Sequence, residues 1–166
     1  RAILDLAGAG QGSMYHHFGG KEDLAAAALR ASAEDVLAAG DAALAGPGTS
    51  VERLRRYLLR EREVLRGCPV GRMTGDADVL DSEVLHGIVG HAFDRLRALT
   101  VRTVEQGVAD GELDATTVAS ELADTVLAVV QGGYVLARAA ADPGPFDRAV
   151  RGAVALLEST RRKATS

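Results

Sequence analysis

Apolar residues recur along this chain at intervals of three and four, in blocks that glycine and proline separate. Lys21 opens a helix reaching roughly Leu44, with Glu22 and Asp23 in the first turn, where the helix dipole favours carboxylates. Its alanine run, 25–28, makes a thin helix able to pack closely, and Gly46-Pro47-Gly48 ends it. Thr49-Ser50-Val51-Glu52 reads as a capping box that starts a second helix, running to about Arg66 with Val51, Leu54, Leu58 and Leu65 as its stripe. Gly67-Cys68-Pro69-Val70-Gly71 is a compact loop. Asp81-Ser82 caps a long helix from Glu83 to about Ala109, with Leu85, Val89, Ala92, Leu96 and Leu99 inward and Asp110-Gly111-Glu112 as the exit turn. Residues 115–141 carry two stripes: Val118, Leu122, Val126, Val129, Gly133 and Leu136, then Leu127, Val130 and Tyr134. A helix apolar on two sides is buried on two sides. Gly132-Gly133 inside it costs about 1 kcal/mol per glycine relative to alanine, which close approach of another backbone would offset. After Asp142-Pro143-Gly144-Pro145, a last helix runs from Phe146 to about Arg162, with Phe146, Val150, Ala153, Val154 and Leu157 on one face and Arg161, Arg162 and Lys163 near its end. The pattern predicts an all-α protein without an internal repeat.

The first twenty residues differ. Ile3, Leu4 and Leu6 belong to the tail of a helix that Gly8-Ala9-Gly10 breaks. A short segment, Gln11 to Phe18, follows; Met14 and Phe18 share a face, and Gln11, Ser13, Tyr15, His16 and His17 leave a polar surface. Helix, glycine turn and short polar helix together are the helix-turn-helix arrangement, with Ile3–Leu6 supporting and Gln11–Phe18 reading. Gly10 stands at the turn without a capping side chain.

Gly12, Met14, Tyr15, His16, His17, Phe18, Lys21 and Glu22 match the recognition-helix pattern of the tetracycline-repressor (TetR) family, which this chain resembles. The resemblance implies a helix-turn-helix DNA-binding region with connecting helix over 1–44, and a C-terminal effector-binding and dimerisation domain over 45–166. The chain begins at Arg1, so the family's first helix is expected to be missing from it. By residue-for-residue resemblance, Gly12 permits close backbone approach to DNA, and Tyr15, His17 and Lys21 contact phosphates. Gln11, Ser13 and His16 are the candidates for further DNA contacts, since Gln pairs with adenine through its amide and Ser bonds bases or phosphate. The 67–71 loop resembles that of the LmrA/YxaF-like branch and is expected to border the effector cavity. Tyr57, Cys68, Met73, His86, Phe93, Gln131 and Tyr134 are the candidate lining residues. The implied partners are a double-stranded operator, a small hydrophobic effector and a second copy of the chain, joined through the last two helices. Two-fold symmetry suits a palindromic site. A cytoplasmic repressor is the expected role, against the alternative of a helical ligand-binding and dimerisation module that does not read DNA in this form.

Composition refines this picture. Apolar residues make up 47% and aromatics 4%, enough for a helical core at this length. One cysteine, Cys68, excludes an intrachain disulfide framework and suits a reducing compartment. No apolar run is long enough to span a membrane. The net charge is −4, and residues 1–30 balance three basic against three acidic side chains, so bulk charge does not announce a nucleic-acid partner. Backbone N–H groups at helix N-termini supply phosphate contacts that such a count misses. Arg53, Arg55, Arg56, Arg60 and Arg62 alternate with Glu61 and Glu63, which favours a solvated face with local ion pairs over a nucleic-acid patch. Nothing reads as catalytic: there is no glycine-rich phosphate loop and no nucleophile elbow. His86 and His91 fall about 140° apart around a helix, and His16 and His17 about 100°, so neither pair chelates a metal. No cofactor is expected.

Overall fold

The computed structural model describes residues 18–160, and the described residues contain six α-helices, two short 3₁₀ turns and no strand. The helices are α1 (Lys21–Leu44), α2 (Ser50–Leu59), α3 (Ala77–Leu80), α4 (Glu83–Ala109), α5 (Ala119–Ala140) and α6 (Gly144–Ser159). The 3₁₀ turns, Val64–Arg66 and Gly71–Gly75, lie between α2 and α3. The helix-turn-helix reading falls almost wholly outside these residues, as do Arg161, Arg162 and Lys163. Phe18, the one described residue of the reading segment, is half-buried and not helical.

α1 packs along α4, and α5 packs against α6 and α4, so α4 is the central helix. The thinness of α1 has a local cause. Ala26, Leu29, Ala33, Gly40, Ala43 and Leu44 are its buried positions. At Gly40 a Cβ would stand 2.6 Å from Leu96 Cδ1, so a larger residue there would have to displace the end of the Leu96 side chain. The capping box forms as the sequence predicts: Glu52 N donates to Thr49 Oγ1 at 3.2 Å, and Thr49 N donates to Glu52 Oε2 at 2.9 Å. Ser82 Oγ likewise accepts from Leu85 N at the start of α4.

Four details depart from expectation. α2 stops at Leu59 instead of Arg66, because Arg60 turns to extended backbone (φ −56°, ψ 149°). The arginines of this stretch form little of the expected solvated, ion-paired face. Arg53 donates to Leu44 O and Ser50 Oγ, and Arg56 to Ala43 O and Pro47 O, so both staple the end of α1. Among them only Arg55 meets a carboxylate, Glu158, at 3.9 Å. α5 begins at Ala119, which leaves Val118 as its cap and 51% exposed. Gly133 is indeed a close-contact position, but the neighbour is a ring: a Cβ there would lie 2.8 Å from Phe146 Cδ2. Gly132 faces open space.

Candidate functional site

The break after α2 gathers two arginines and three aromatic rings into one cluster. Arg62 folds back over the helix it follows. Its Nη1 donates to Leu58 O at 2.9 Å and Arg60 O at 2.8 Å, and its Nη2 donates to Tyr57 O. A guanidinium thus takes over carbonyls that the end of a helix leaves without partners. The same group sits 5.4 Å from the Tyr57 ring centroid and 5.5 Å from that of Phe146. Arg60 approaches Tyr57 at 5.7 Å. Both are within cation–π range. Tyr134 closes the cluster, its ring 4.9 Å from Phe146.

This environment is dry and positive. Tyr57 is 1% exposed, and burial pushes its hydroxyl up to about 12, against the pull of Arg62 and Arg60. Burial raises Tyr134 as well. Burial, then the like charge of Arg60, lowers Arg62. The Nε atoms of Arg60 and Arg62 are buried with no hydrogen-bond partner.

A cavity of about 420 Å³ opens beside this cluster. One wall is α1, through Ser32, Asp35, Val36 and Ala39; the others are Leu96 of α4, Val130, Gln131 and Tyr134 of α5, and the chain from Arg60 to Arg72. A second cavity of about 260 Å³ adjoins it, sharing Cys68, Arg72, Gln131 and Tyr134 and adding Phe93 and Val135. Of the sequence-predicted lining residues, Tyr57, Cys68, Gln131 and Tyr134 border the first cavity, and Phe93 borders the second. Met73 is half-buried in the second 3₁₀ turn and His86 is exposed on α4; neither borders either cavity. Cys68 is buried and free, and its Sγ accepts from Gly71 N at 3.2 Å. The sequence reading missed Arg60 and Arg62, and the one available clue was an arginine three residues after Tyr57 at the end of an apolar stripe. A larger open groove of about 1000 Å³ lies on the other side of Arg60 and Arg62, between the end of α2 and α6.

At the opposite end of α1, Lys21 is 88% exposed and pairs with Asp78 of α3 at 2.8 Å. That hydrogen bond raises Lys21 and lowers Asp78. Ser82 Oγ donates to Glu22 Oε1 beside it. Lys21 is the only sequence-predicted DNA contact among the described residues; Gln11, Gly12, Ser13, Tyr15, His16 and His17 lie outside them. On the outer faces of α5 and α6, Val135 (67%), Leu136 (56%) and Leu156 (67%) are exposed. The described residues hold no cluster of metal-ligating side chains and no helix long and apolar enough to cross a membrane.

Known proteins place this architecture. Residues 1–28 match the family model described as bacterial regulatory proteins, tetR family. Residues 49–153 match that described as tetracyclin repressor-like, C-terminal domain. Neither model carries the LmrA/YxaF-like branch name. A TetR transcriptional regulator from Chloroflexus aurantiacus is similar in structure with a TM-score of 0.87 and 27% identity, over 98% of this chain and 85% of that one. The fold is shared with the regulatory protein TetR from Rhodobacter sphaeroides (TM-score 0.81, 23% identity, 97% and 86% covered). It is shared too with reduced NemR from E. coli (TM-score 0.79, 21% identity, 99% and 86% covered). No curated protein sequence matches the chain.

Proposed function

The chain belongs to the tetracycline-repressor family of bacterial DNA-binding transcriptional regulators, and we propose that it is a repressor released from a palindromic operator by a small, largely apolar effector. Proteins of this family are generally regulators without enzymatic activity. In this reading, residues 1–44 form the DNA-binding region with its connecting helix, and residues 45–166 the effector-binding and dimerisation domain. Gln11, Gly12, Ser13, Tyr15, His16, His17 and Lys21 meet DNA. The effector occupies the paired cavities at Tyr57, Cys68, Phe93, Gln131 and Tyr134. Two copies join through α5 and α6, and the site of action is the cytoplasm, where the operator is.

One observation carries the proposal. The helix whose N-terminus follows directly on the reading segment also forms a wall of the 420 Å³ cavity, through Ser32 to Ala39. A ligand that fits the cavity better in one position of α1 than in another shifts the population of that position. It thereby alters how two reading helices in a dimer match successive major grooves. Coupling of this kind is typically about 1–3 kcal/mol.

The test is selection of fragments from genomic DNA by the full protein, followed by operator titration with and without effector. Enrichment of one palindrome, and weaker operator binding at saturating effector, is the expected result. A dimer that enriches no sequence would instead support a ligand-binding module that does not read DNA.

A further inference from the structure

The cavity beside α1 contains positive charge that the protein leaves unanswered. Arg60 and Arg62 both border it, and among the described residues no carboxylate pairs with either. The other charged groups around it are Asp35, Glu61, Glu63, Arg66 and Arg72. Glu63 is occupied by Arg66 at 2.6 Å. Asp35 and Glu61 are exposed, whereas Arg60 and Arg62 are half-buried with their Nε atoms fully enclosed. A desolvated cation without a counter-charge is costly, and a buried N–H without an acceptor adds to that cost. An apolar ligand alone would leave the charge unanswered.

The two arginines are not equivalent. Arg62 spends its Nη groups on three backbone carbonyls and is held in position by them. Among the described residues Arg60 makes only its ring contact with Tyr57, so its fork of two Nη groups is free while its Nε is enclosed. The paired Nη groups of a guanidinium match the two oxygens of a carboxylate, and the enclosed Nε takes no part in that contact. The hydroxyl-bearing rings of Tyr57 and Tyr134 and the amide of Gln131 surround the same space, and Val36, Ala39, Leu96 and Val130 supply apolar wall. The volume, about 420 Å³, lies toward the small end of ligand sites, which run from about 300 to 1,000 Å³. The groove on the other side of Arg60 is a poorer match. Its four arginines (Arg55, Arg60, Arg62, Arg151) are balanced by four carboxylates (Glu61, Glu63, Asp147, Glu158), whereas the cavity sets four arginines against three carboxylates.

We infer that the effector of this regulator is a small organic carboxylate, its head bound by the Arg60 fork in the field of Arg62, its apolar body against Val36, Leu96 and Val130. The inference rests on the cavity being the effector site and adds the chemical class of the occupant.

The test is calorimetric titration of the full protein with aliphatic and aromatic monocarboxylates, from butyrate to decanoate and from benzoate to cinnamate. Each acid is paired with its primary amide and with a phosphate-headed analogue. The expected result is a subset of acids that binds at least about tenfold tighter than the matched amides, the scale of one charge-assisted hydrogen bond. Arg60→Gln should weaken those acids by about tenfold or more and leave the amides unchanged. Should Arg60→Gln melt early, Arg60→Lys, which keeps the charge and loses the fork, makes the same comparison. Amides that bind as well as acids, acids indifferent to Arg60, or no binding by any acid would each overturn the inference. Tighter binding of the phosphate-headed analogues would overturn the carboxylate assignment in favour of a phosphate ester. Operator release is read separately. An acid that binds through Arg60 yet leaves operator affinity unchanged counts against the repressor mechanism alone, and release by neutral compounds but not by acids counts against the anionic head alone.

Discussion

At the scale of single residues, Tyr57 and Gly133 show how the interior sets properties that side-chain identity does not. Native Tyr57 keeps its proton to about 12, whereas an ordinary tyrosine releases it near 10. Between those two values the folded protein binds more protons than the unfolded chain. The contribution is therefore complete below pH 10 and is lost as pH rises toward 12. Chemical denaturation across this window should show stability falling by about 2 kcal/mol on account of Tyr57. Tyr57→Phe should flatten the slope, leaving the smaller share due to Tyr134. Gly133 and Gly132 make a matched pair. Alanine at 133 would press on the Phe146 ring and should lower stability by about 1–3 kcal/mol. Alanine at 132 meets open space and should not lower it, gaining up to about 1 kcal/mol from helix propensity. Equal losses at both positions in denaturant titrations would contradict this packing. The periodicity exposed the glycine pair as an anomaly; which glycine is indispensable depends on where the Phe146 ring lands.

At the scale of elements, α1 connects the two ends of the molecule. Its first turn is tied to the segment before α4 by Lys21–Asp78 and Ser82–Glu22. The Lys21 ammonium that is proposed to meet a phosphate is therefore held by a carboxylate in the unbound protein. Lys21→Ala should weaken binding to all DNA sequences alike and reduce the salt slope by about one. Asp78→Asn should release the lysine and raise operator affinity by a few-fold at most, since exposed ion pairs are weak. Affinity lowered by Asp78→Asn, measured by mobility shift at several salt concentrations, would mean that the pair positions α1 for binding. α2 illustrates the limit of reading charge patterns. Alternating Arg and Glu looked like a solvated face, but three of the five arginines bond backbone carbonyls. A one-dimensional pattern records alternation and not the direction in which a long side chain folds.

At the scale of the whole molecule, α5 and α6 present Val135, Leu136 and Leu156 outward, and Gly132 and Gly152 leave open space on the same two helices. Of the two stripes expected to be buried on α5, Leu127, Val130 and Tyr134 are buried, as are Val126 and Gly133 of the other, whereas Val118 and Leu136 are exposed. Val126, Val130, Tyr134 and Ala137 are covered from within the chain, and the exposed Val135 and Leu136 belong to the dimer surface proposed above. The double substitution Val135→Lys with Leu156→Lys should shift the protein from dimer to monomer in sedimentation equilibrium. Operator affinity should fall by about a hundredfold with the reading segment intact, because both half-sites would no longer be bound together. A variant that stays dimeric would place the interface on another face.

Local rules were sufficient for much of this protein. Helix periods, the Thr49–Glu52 box and the Ser82 cap are set by neighbours three and four residues away, so the all-α architecture and most helix boundaries were legible in the amino-acid sequence. The family was legible too, from the pattern between Gly12 and Glu22. The cavity was legible only in part. Tyr57, Cys68, Gln131 and Tyr134 stood out as rare polar or aromatic residues in aliphatic surroundings, but rarity also selected Met73 and the exposed His86. Tertiary structure alone decided where α2 stops, that Arg62 closes its end, and that Arg60 is left with a free fork beside α1. Each outcome depends on contacts across tens of residues, Arg62 to Phe146 and α1 to the 60–72 loop, and on a loss of water that no local window of sequence encodes.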